Sequence, residues 1–364
     1  MSNYKNGVVL YDFLLVKGGA EKVTLTLAKE IVDVDLCVGF VNRAILPDEK
    51  LVSSKPIEIS KYIENNVLRV TKTVIDFYFK TKFLVNYDWV IYSGSCAPTA
   101  VHNHPFKKNI YYCHTIPRFS YDLYNYYLGL CKHWQKPLFI LFAHWLRKIY
   151  EAAINQMDLI IANSNNVKNR IMRYLKKDAI VVYPPCDTRQ FRWLDQHNYY
   201  VSTARLEPLK RVDLIIEAFR QMPDKKLIVI SGGSEFNHLK ILASDAPNIH
   251  FLGWVSDNQL RHYIGKAIAS IYIPKDEDFG MSPIESMAAG KPVIGVAEGG
   301  LLETIIPEKT GILLNPNPTA EDVSTAVNKL TAKKALEMRH SCEIQAQLFD
   351  KTTFLNTMRE LITC

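Results

Sequence analysis

The chain has 364 residues, 48% hydrophobic and 22% charged; this excludes intrinsic disorder and coiled coil and leaves room for two or three cored domains at roughly 100–200 residues each. The net charge of +7 is unevenly held: residues 1–195 carry 26 Lys/Arg against 17 Asp/Glu, and residues 196–364 carry 18 against 20. A basic first half is either a solvated surface or a face for an anionic membrane or acidic substrate. No nucleic-acid partner is expected, because zinc spacing, a basic zipper and RNA-recognition signatures are all missing.

Seven scattered cysteines without a CxxC read as reduced thiols in a cytosol. In chain order, short apolar runs alternate with helical patterns, the sign of parallel sheets covered by helices. Strands are expected at GVVLYDF (7–13), DLCVGF (35–40), WVIYSG (89–94), NIYYCH (109–114) and LIIANS (159–164). GGAEKVTLTLAKEIV lies between the first two and puts Val23, Leu27 and Ile31 on one helical stripe. The aromatic segment 121–154 reads as helical on either side of Pro137, and its apolar core, PLFILFAHWL (137–146), is shorter than the ~20 residues a bilayer span needs. The chain is therefore expected to be soluble or peripheral.

VVYPPCDTRQF (181–191) is an extended Pro-Pro stop and the expected domain boundary. The pattern then restarts with YYVSTARL (199–206), a helix at 213–219, KLIVISGG (226–233), NIHFLGWV (248–255), AIASIYIP (267–274), KPVIGV (291–296) and GILLNP (311–316). The expected organisation is an α/β chain of two doubly wound, Rossmann-like domains facing across a cleft, 1–190 and 191–345, with a helix at 346–364 packing back toward the first.

Gly18 and Gly19 in GGAEK and Gly232 in GGSE open segments that follow strands, either as plain strand-to-helix turns or as places where backbone approaches an anion. Neither stretch is GxGxxG, and there is no P-loop. Arg205 and Lys210, in STARLEPLKR, follow a strand and sit at a helix entrance. They are either surface cations or the fork and point charge that a diphosphate takes at the carboxyl end of an α/β sheet. In KDEDFGMSPIESMAAG, Ser282 is expected as helix N-cap, Pro283 as first residue and Gly290 as stop. Glu277 would then lie in the loop. Glu285 would lie in the first turn, beside the N–H groups of Gly280, Met281 and Ser282, where an anion fits and a carboxylate suits a ribose diol.

EDFGMSPIE, with AAGKPVIGVAEGGLLETI after it, TARLEPLKR before it and GGAE near the start, resembles the family 4 retaining glycosyltransferases of GT-B fold, in order from Gly18 to about Asn315. YYCHTIPRFSYDLY (111–124) is similar to the His-containing segment of members that build bacterial surface polysaccharides, often mannosyltransferases using GDP-mannose, with Ile116 interrupting the CHTPxRY order. The resemblance implies that Arg205 and Lys210 bind the donor diphosphate, that Glu285 holds the ribose and that Glu277 meets the donor sugar near its reacting centre. It further implies that the backbone of Phe279, Gly280, Met281 and Ser282 caps sugar and phosphate, and that Gly19 lies by the phosphate. His114 would reach the transferred sugar, and the GWV stretch ending at Val255 would meet the base.

No metal or other cofactor is implied, although Asp276 and Asp278 form a DxD. The nucleotide sugar is a substrate, transferred with retention by front-face attack without a protein nucleophile. The implied acceptor is a glycan, lipid-linked at the inner face of the cell membrane or soluble. The basic first half and the Lys132–Tyr150 stretch suggest peripheral contact with an anionic membrane. A sugar-nucleotide epimerase and a non-catalytic nucleotide-sugar or glycan-binding module are the rival readings.

Overall fold

The computed structural model describes residues 6–16, 18–44 and 55–363. It divides into two compact units, residues 1–184 with 354–364, and residues 185–353.

The first unit is built on a seven-stranded parallel sheet in the order β3-β2-β1-β4-β5-β6-β7. Its strands are β1 (Gly7–Tyr11), β2 (Val34–Val38), β3 (Ile57–Glu58), β4 (Trp89–Ser93), β5 (Lys108–Cys113), β6 (Leu159–Ala162) and β7 (Ile180–Val181). β1 and β4 are buried along their whole length, as apolar runs covered on both faces should be. The tyrosines in these runs stay buried because their hydroxyls are satisfied: Tyr92 donates to Asn109 Oδ1 at 2.9 Å, Tyr112 to the Val182 carbonyl at 2.9 Å, and Tyr111 meets the Tyr150 hydroxyl at 2.8 Å.

One face is covered by α1 (Gly19–Glu30) through Val23 and Leu27. The other is covered by α2 (Asn66–Lys80), a 3₁₀ turn (Ala97–Asn103), α4 (Lys136–Ile154) and α5 (Asn165–Leu175), with the short α3 (Tyr124–Leu130) beside α4. Pro137 falls in the first turn of α4, where its missing N–H costs nothing, and with α3 before it the segment is helical on either side as expected.

The second unit has a six-stranded parallel sheet, β10-β9-β8-β11-β12-β13. The strands are β8 (Tyr200–Ser202), β9 (Leu227–Ile230), β10 (Ile249–Gly253), β11 (Ser270–Ile271), β12 (Val293–Val296) and β13 (Gly311–Leu314). Between and after them run α6 (Val212–Arg220), α7 (Phe236–Leu242), α8 (Asp257–Lys266), α9 (Met281–Ala288), α10 (Leu301–Thr304), α11 (Ala320–Lys329) and α12 (Ala332–Gln347). The strand order reverses between β8 and β11, which pair through Ser270 and Val201. In open α/β sheets such a reversal separates neighbouring strand-end loops and opens a crevice at their carboxyl ends.

The boundary falls earlier than residue 190. The Cys186 N–H bonds the Phe349 carbonyl at 2.8 Å and the Lys351 N–H bonds the Cys186 carbonyl at 3.0 Å, so the chain joins the second unit directly after its Pro-Pro stop. The return also starts later than 346. Residues through Gln347 form α12 of the second unit, and it is α13 (Lys351–Thr363) whose Phe354, Leu355, Met358 and Ile362 enter the core of the first. Among the described residues no disulfide is formed and the six cysteines are thiols; Cys364 lies outside them.

Candidate functional site

The loops that leave β8 and β11 hold most of the expected charged residues. The β8 loop passes Arg205 and ends in a 3₁₀ turn, Pro208–Lys210, just before α6. The β11 loop passes Tyr272 and Glu277 before α9. The Lys275 N–H bonds the Leu209 carbonyl at 2.8 Å and ties the loops together. The Lys210 ammonium pairs with the Glu277 carboxylate, lies 3.4 Å from the Tyr272 hydroxyl and 5.7 Å from the centre of its ring. Burial pulls this ammonium down, but Tyr272 and Glu277 outweigh it and hold Lys210 above the ordinary lysine range. A fixed positive charge therefore sits at the sheet's reversal point. Arg205 is exposed, and its guanidinium has no partner among the described residues.

A second ion pair, which no sequence pattern announces, fixes the geometry of the first. Arg211 opens α6 with φ of +52°, a left-handed conformation unusual for arginine. Its guanidinium forks onto Glu298 at 2.9 and 3.3 Å. The same carboxylate accepts the N–H of Asp276 at 3.0 Å and of Asn317 at 2.8 Å. Glu298 thus binds the start of α6, the Glu277 loop and the segment after β13 into one body. Burial pushes its carboxyl up, but Arg211 and the two N–H groups hold it below the usual glutamate range.

The two residues after Glu298 complete this support. Gly300 N–H donates to the Glu277 carbonyl at 2.8 Å. A Cβ on Gly299 would stand 2.2 Å from the Glu277 carbonyl oxygen, and Gly299 has φ of +57°, so only glycine lets the segment lie against the loop.

The start of α9 differs from the sequence expectation. Gly280, with φ of +92°, is the N-cap, and no side chain caps the helix. Ser282 is therefore the second helical residue, not the cap, and Pro283 is the third, not the first. A left-handed glycine makes the turn into the helix by itself, so no Ser cap is required and the first-turn N–H groups beginning at Met281 carry no side-chain cap. Glu285 consequently lies in the second turn, not the first, and is buried at 6% exposure. Phe279 sends its ring into the core, 5.5 Å from Phe349, so only its backbone is left for a ligand. Gly290 follows α9 with φ of +68°, the left-handed residue expected after a helix end.

Gly232 and Val255 have structural partners. A Cβ on Gly232 would meet Trp254 Nε1 at 2.4 Å, and its carbonyl accepts the Leu206 N–H at 3.0 Å, so it braces the Arg205 loop. Val255 packs against a core of Tyr199, Val201 and Ile230. Trp254 between them is 69% exposed. Among the described residues no three His, Cys, Asp or Glu side chains are grouped as metal ligands would be, and Asp276 and Asp278 gather no third.

In the first unit, Gly18 is the N-cap of α1 and Gly19 its first residue. His114 follows β5. Its Nε2 lies 2.7 Å from Ser93 Oγ, which in turn is 3.3 Å from Thr24 Oγ1 of α1. Tyr11 and Tyr112 set their rings beside it, and burial pushes the imidazole down to about 3, so it is neutral near pH 7. Asp12 was not a candidate, yet it accepts the N–H groups of Ser95, Cys96 and Ala97 at 2.7, 2.7 and 2.8 Å. It fixes the turn after Ser93 and hence the partner of His114. The signal was present as a lone acid interrupting an apolar strand.

Residues 187–349 match the family described as "Glycosyl transferases group 1". This part of the chain, a little under half of it, is similar to a group 1 glycosyltransferase domain. Its loops carry the Lys210–Glu277 pair and the Arg211–Glu298 clamp. An alpha-1,3/1,6-mannosyltransferase ALG2 of Dictyostelium discoideum is 28% identical over 221 residues, covering 48% of this chain and 52% of that protein. The mouse GDP-Man:Man(3)GlcNAc(2)-PP-Dol alpha-1,2-mannosyltransferase is 27% identical over 241 residues, covering 57% of this chain and 49% of that one. The match thus spans about half the length of these curated relatives.

Among solved structures, Anabaena HepE in complex with UDP and glucose superposes with a TM-score of 0.78 at 17% identity, covering 99% of this chain and 100% of that one. Sucrose-phosphate synthase of Thermosynechococcus elongatus gives 0.79 at 18% identity, with 98% of each chain covered. At these identities the likeness concerns fold, and the fold of two Rossmann-like units on either side of the group 1 boundary is GT-B.

Proposed function

We propose that the protein is a retaining glycosyltransferase that moves a sugar, mannose from GDP-mannose in the first instance, to a hydroxyl of a lipid-linked or soluble glycan, as in surface-polysaccharide (lipopolysaccharide) assembly on the cytoplasmic face of a membrane. The observation that carries the reading is the Lys210 ammonium held against Glu277 where the second sheet reverses its strand order, inside the part similar to a group 1 glycosyltransferase domain. The mannosyl relatives support the choice of sugar.

In this reading Lys210 and Arg205 neutralise the departing diphosphate, and the uncapped N–H groups of α9 add partial positive charge. Stabilisation of the leaving group is what such transfer needs most, because the bond from the anomeric carbon to the phosphate oxygen breaks as positive charge grows on the sugar. The acceptor oxygen bonds to the same face, and a phosphate oxygen of the leaving group takes its proton, so no protein nucleophile is required. Glu277 meets the sugar, Glu285 the ribose, and neutral His114 gives the sugar a hydrogen bond without repelling the developing cation. The diphosphate is held by side chains and N–H groups in this scheme, without a metal.

A thermal-shift panel of GDP, UDP and ADP with their sugars tests the donor, since a ligand that binds only the folded state raises the melting point. GDP and GDP-mannose should give the largest shifts. Incubation with donor and a lipid-linked or oligosaccharide acceptor should release nucleoside diphosphate and a glycoside with the donor's anomeric configuration. An altered sugar nucleotide would instead make the protein an epimerase, and binding without turnover would make it a glycan- or nucleotide-binding module.

A further inference from the structure

The first unit exposes apolar surface that its core does not use. α3 buries none of its residues. Between its end and the first half of α4, Leu130 is 66% exposed, Trp134 67%, Leu138 62% and Leu141 68%. α4 is fixed by its other side, through Ala143, Leu146, Tyr150 and Ala153. The charge around this patch has one sign: from Leu123 to Tyr150 there is no Asp or Glu, and Lys132, Lys136, Arg147 and Lys148 are the charged residues.

Neighbouring α2 repeats the arrangement. Leu68, Ile75 and Phe79 are exposed along it, while its one acid, Asp76, is buried and paired to Lys72 and Lys80 at 2.8 Å each. α2 and α4 pack on the same 3₁₀ turn, Ala97–Asn103, on one side of the sheet. Several large side chains left in water and rimmed by cations mark an interaction surface.

We propose that this α3–α4 face docks on the interface of an anionic bilayer, with Leu130, Trp134, Leu138 and Leu141 entering the boundary between headgroups and acyl chains and Lys132 and Lys136 meeting lipid phosphates. Aliphatic side chains, an indole and lysines without acids are the composition of a helix that lies in that boundary. Each Lys near such a surface adds attraction that salt screens. Among the described residues no helix is long and apolar enough to cross a membrane, which fits a helix lying on the surface. The inference extends the lipid-linked acceptor reading, yet lipid binding is scored without donor or acceptor, so the two can fail separately.

The test is flotation of the full chain with vesicles of phosphatidylcholine alone or with phosphatidylglycerol, at low and high salt. Binding is expected to the anionic vesicles, weakening at least tenfold at high salt, with a blue shift of tryptophan emission that Trp134→Phe removes. Leu138→Glu with Leu141→Glu should lower the partition coefficient at least tenfold, and Lys132→Glu with Lys136→Glu should do so at low salt. Ile344→Glu, on an exposed residue of the second unit, should leave it unchanged. Circular dichroism and melting temperature should match the wild type throughout. No flotation at low salt, or flotation indifferent to the two leucine substitutions, overturns the proposal. A wild-type dimer by light scattering that those substitutions convert to monomer overturns it too, by assigning the face to a second copy of this chain.

Discussion

Removing the Glu298 carboxylate should loosen the loops after β8 and β11 more than any single change at Arg205, Lys210 or Glu277. The carboxylate accepts four N–H donors, two of them from a guanidinium, and both side chains of the pair are 12% exposed. Breaking a buried pair by deleting one partner costs about 3–5 kcal/mol, and the residual exposure puts Glu298→Ala near the lower end, ~3 kcal/mol. Arg211→Gly also breaks the pair but relieves a left-handed arginine, worth ~1 kcal/mol in the opposite direction, so its net cost should be ~2 kcal/mol. The double variant should then cost less than the sum of the singles by about 1–2 kcal/mol. Denaturant unfolding followed by a probe in the second unit measures all three, and nucleotide affinity should fall with Glu298→Ala because the Asp276–Glu277 backbone is released.

The acid limb gives an independent check. Glu298 has a folded pKa below its ordinary value near 4.5, so its contribution is present above that pH and lost as pH falls below it. Glu298→Gln should flatten the wild type's loss of stability there. A Glu298→Ala variant within ~0.5 kcal/mol of wild type, additive with Arg211→Gly, would refute the clamp.

Other outcomes follow from the same geometry. Arg205→Ala and Glu285→Ala should each reduce kcat/KM for the donor at least tenfold; Glu277→Gln should act chiefly on kcat and Glu285→Ala chiefly on donor affinity, which steady-state kinetics separates. Gly299→Ala forces a Cβ to within 2.2 Å of the Glu277 carbonyl at a positive φ and should cost more than ~2 kcal/mol, whereas Gly253→Ala, at φ of +66° with nothing within 4 Å, should cost only the ~1 kcal/mol of conformational strain. Lys291 is 1% exposed, bonded to the Asp195 carbonyl and set 5.0 Å over the Trp193 ring; burial, with Arg339 nearby, pushes it down to about 8 from 10.5. Between those values the unfolded chain holds a proton the folded chain has released, so stability should rise with pH by up to ~3 kcal/mol, and Lys291→Met should abolish the rise in denaturation midpoints. Because His114 is neutral down to about pH 3, His114→Ala should lower kcat without altering the shape of the pH profile between 5 and 8.

What the sequence disclosed depended on how local each cause is. Strands buried on both faces are uninterrupted apolar runs, so WVIYSG and KLIVISGG could be read directly, and so could the loop position of Glu277. β11 is shorter than expected, because AIASIYIP is apolar apart from Ser270 and Pro274 closes it, while the strand proper is only Ser270–Ile271. The start of α9 was misplaced because Ser-Pro is a common opening for a helix, and nothing in the letters shows that Gly280 makes the turn. The Arg211–Glu298 clamp was invisible for a different reason. Its members are 87 residues apart, and an arginine carries no sign that its backbone is left-handed.

The glycine pairs have a structural role that their letters leave open. Gly232–Gly233 reads either as a plain turn or as backbone approaching an anion, and in it, as in Gly299–Gly300, the missing side chains face protein. A Cβ on Gly233 would stand 2.2 Å from the Leu206 carbonyl, and one on Gly299 equally close to that of Glu277. Each pair lets one strand-end loop lie against the loop that carries a charged candidate, Arg205 in the first case and Glu277 in the second. The glycines therefore shape the loops that carry these charges. Adding a side chain there should displace Arg205 or Glu277 before it touches a phosphate, so substitutions at the pairs should mimic loss of those charges in the direction of the affinity change and exceed it in the loss of stability.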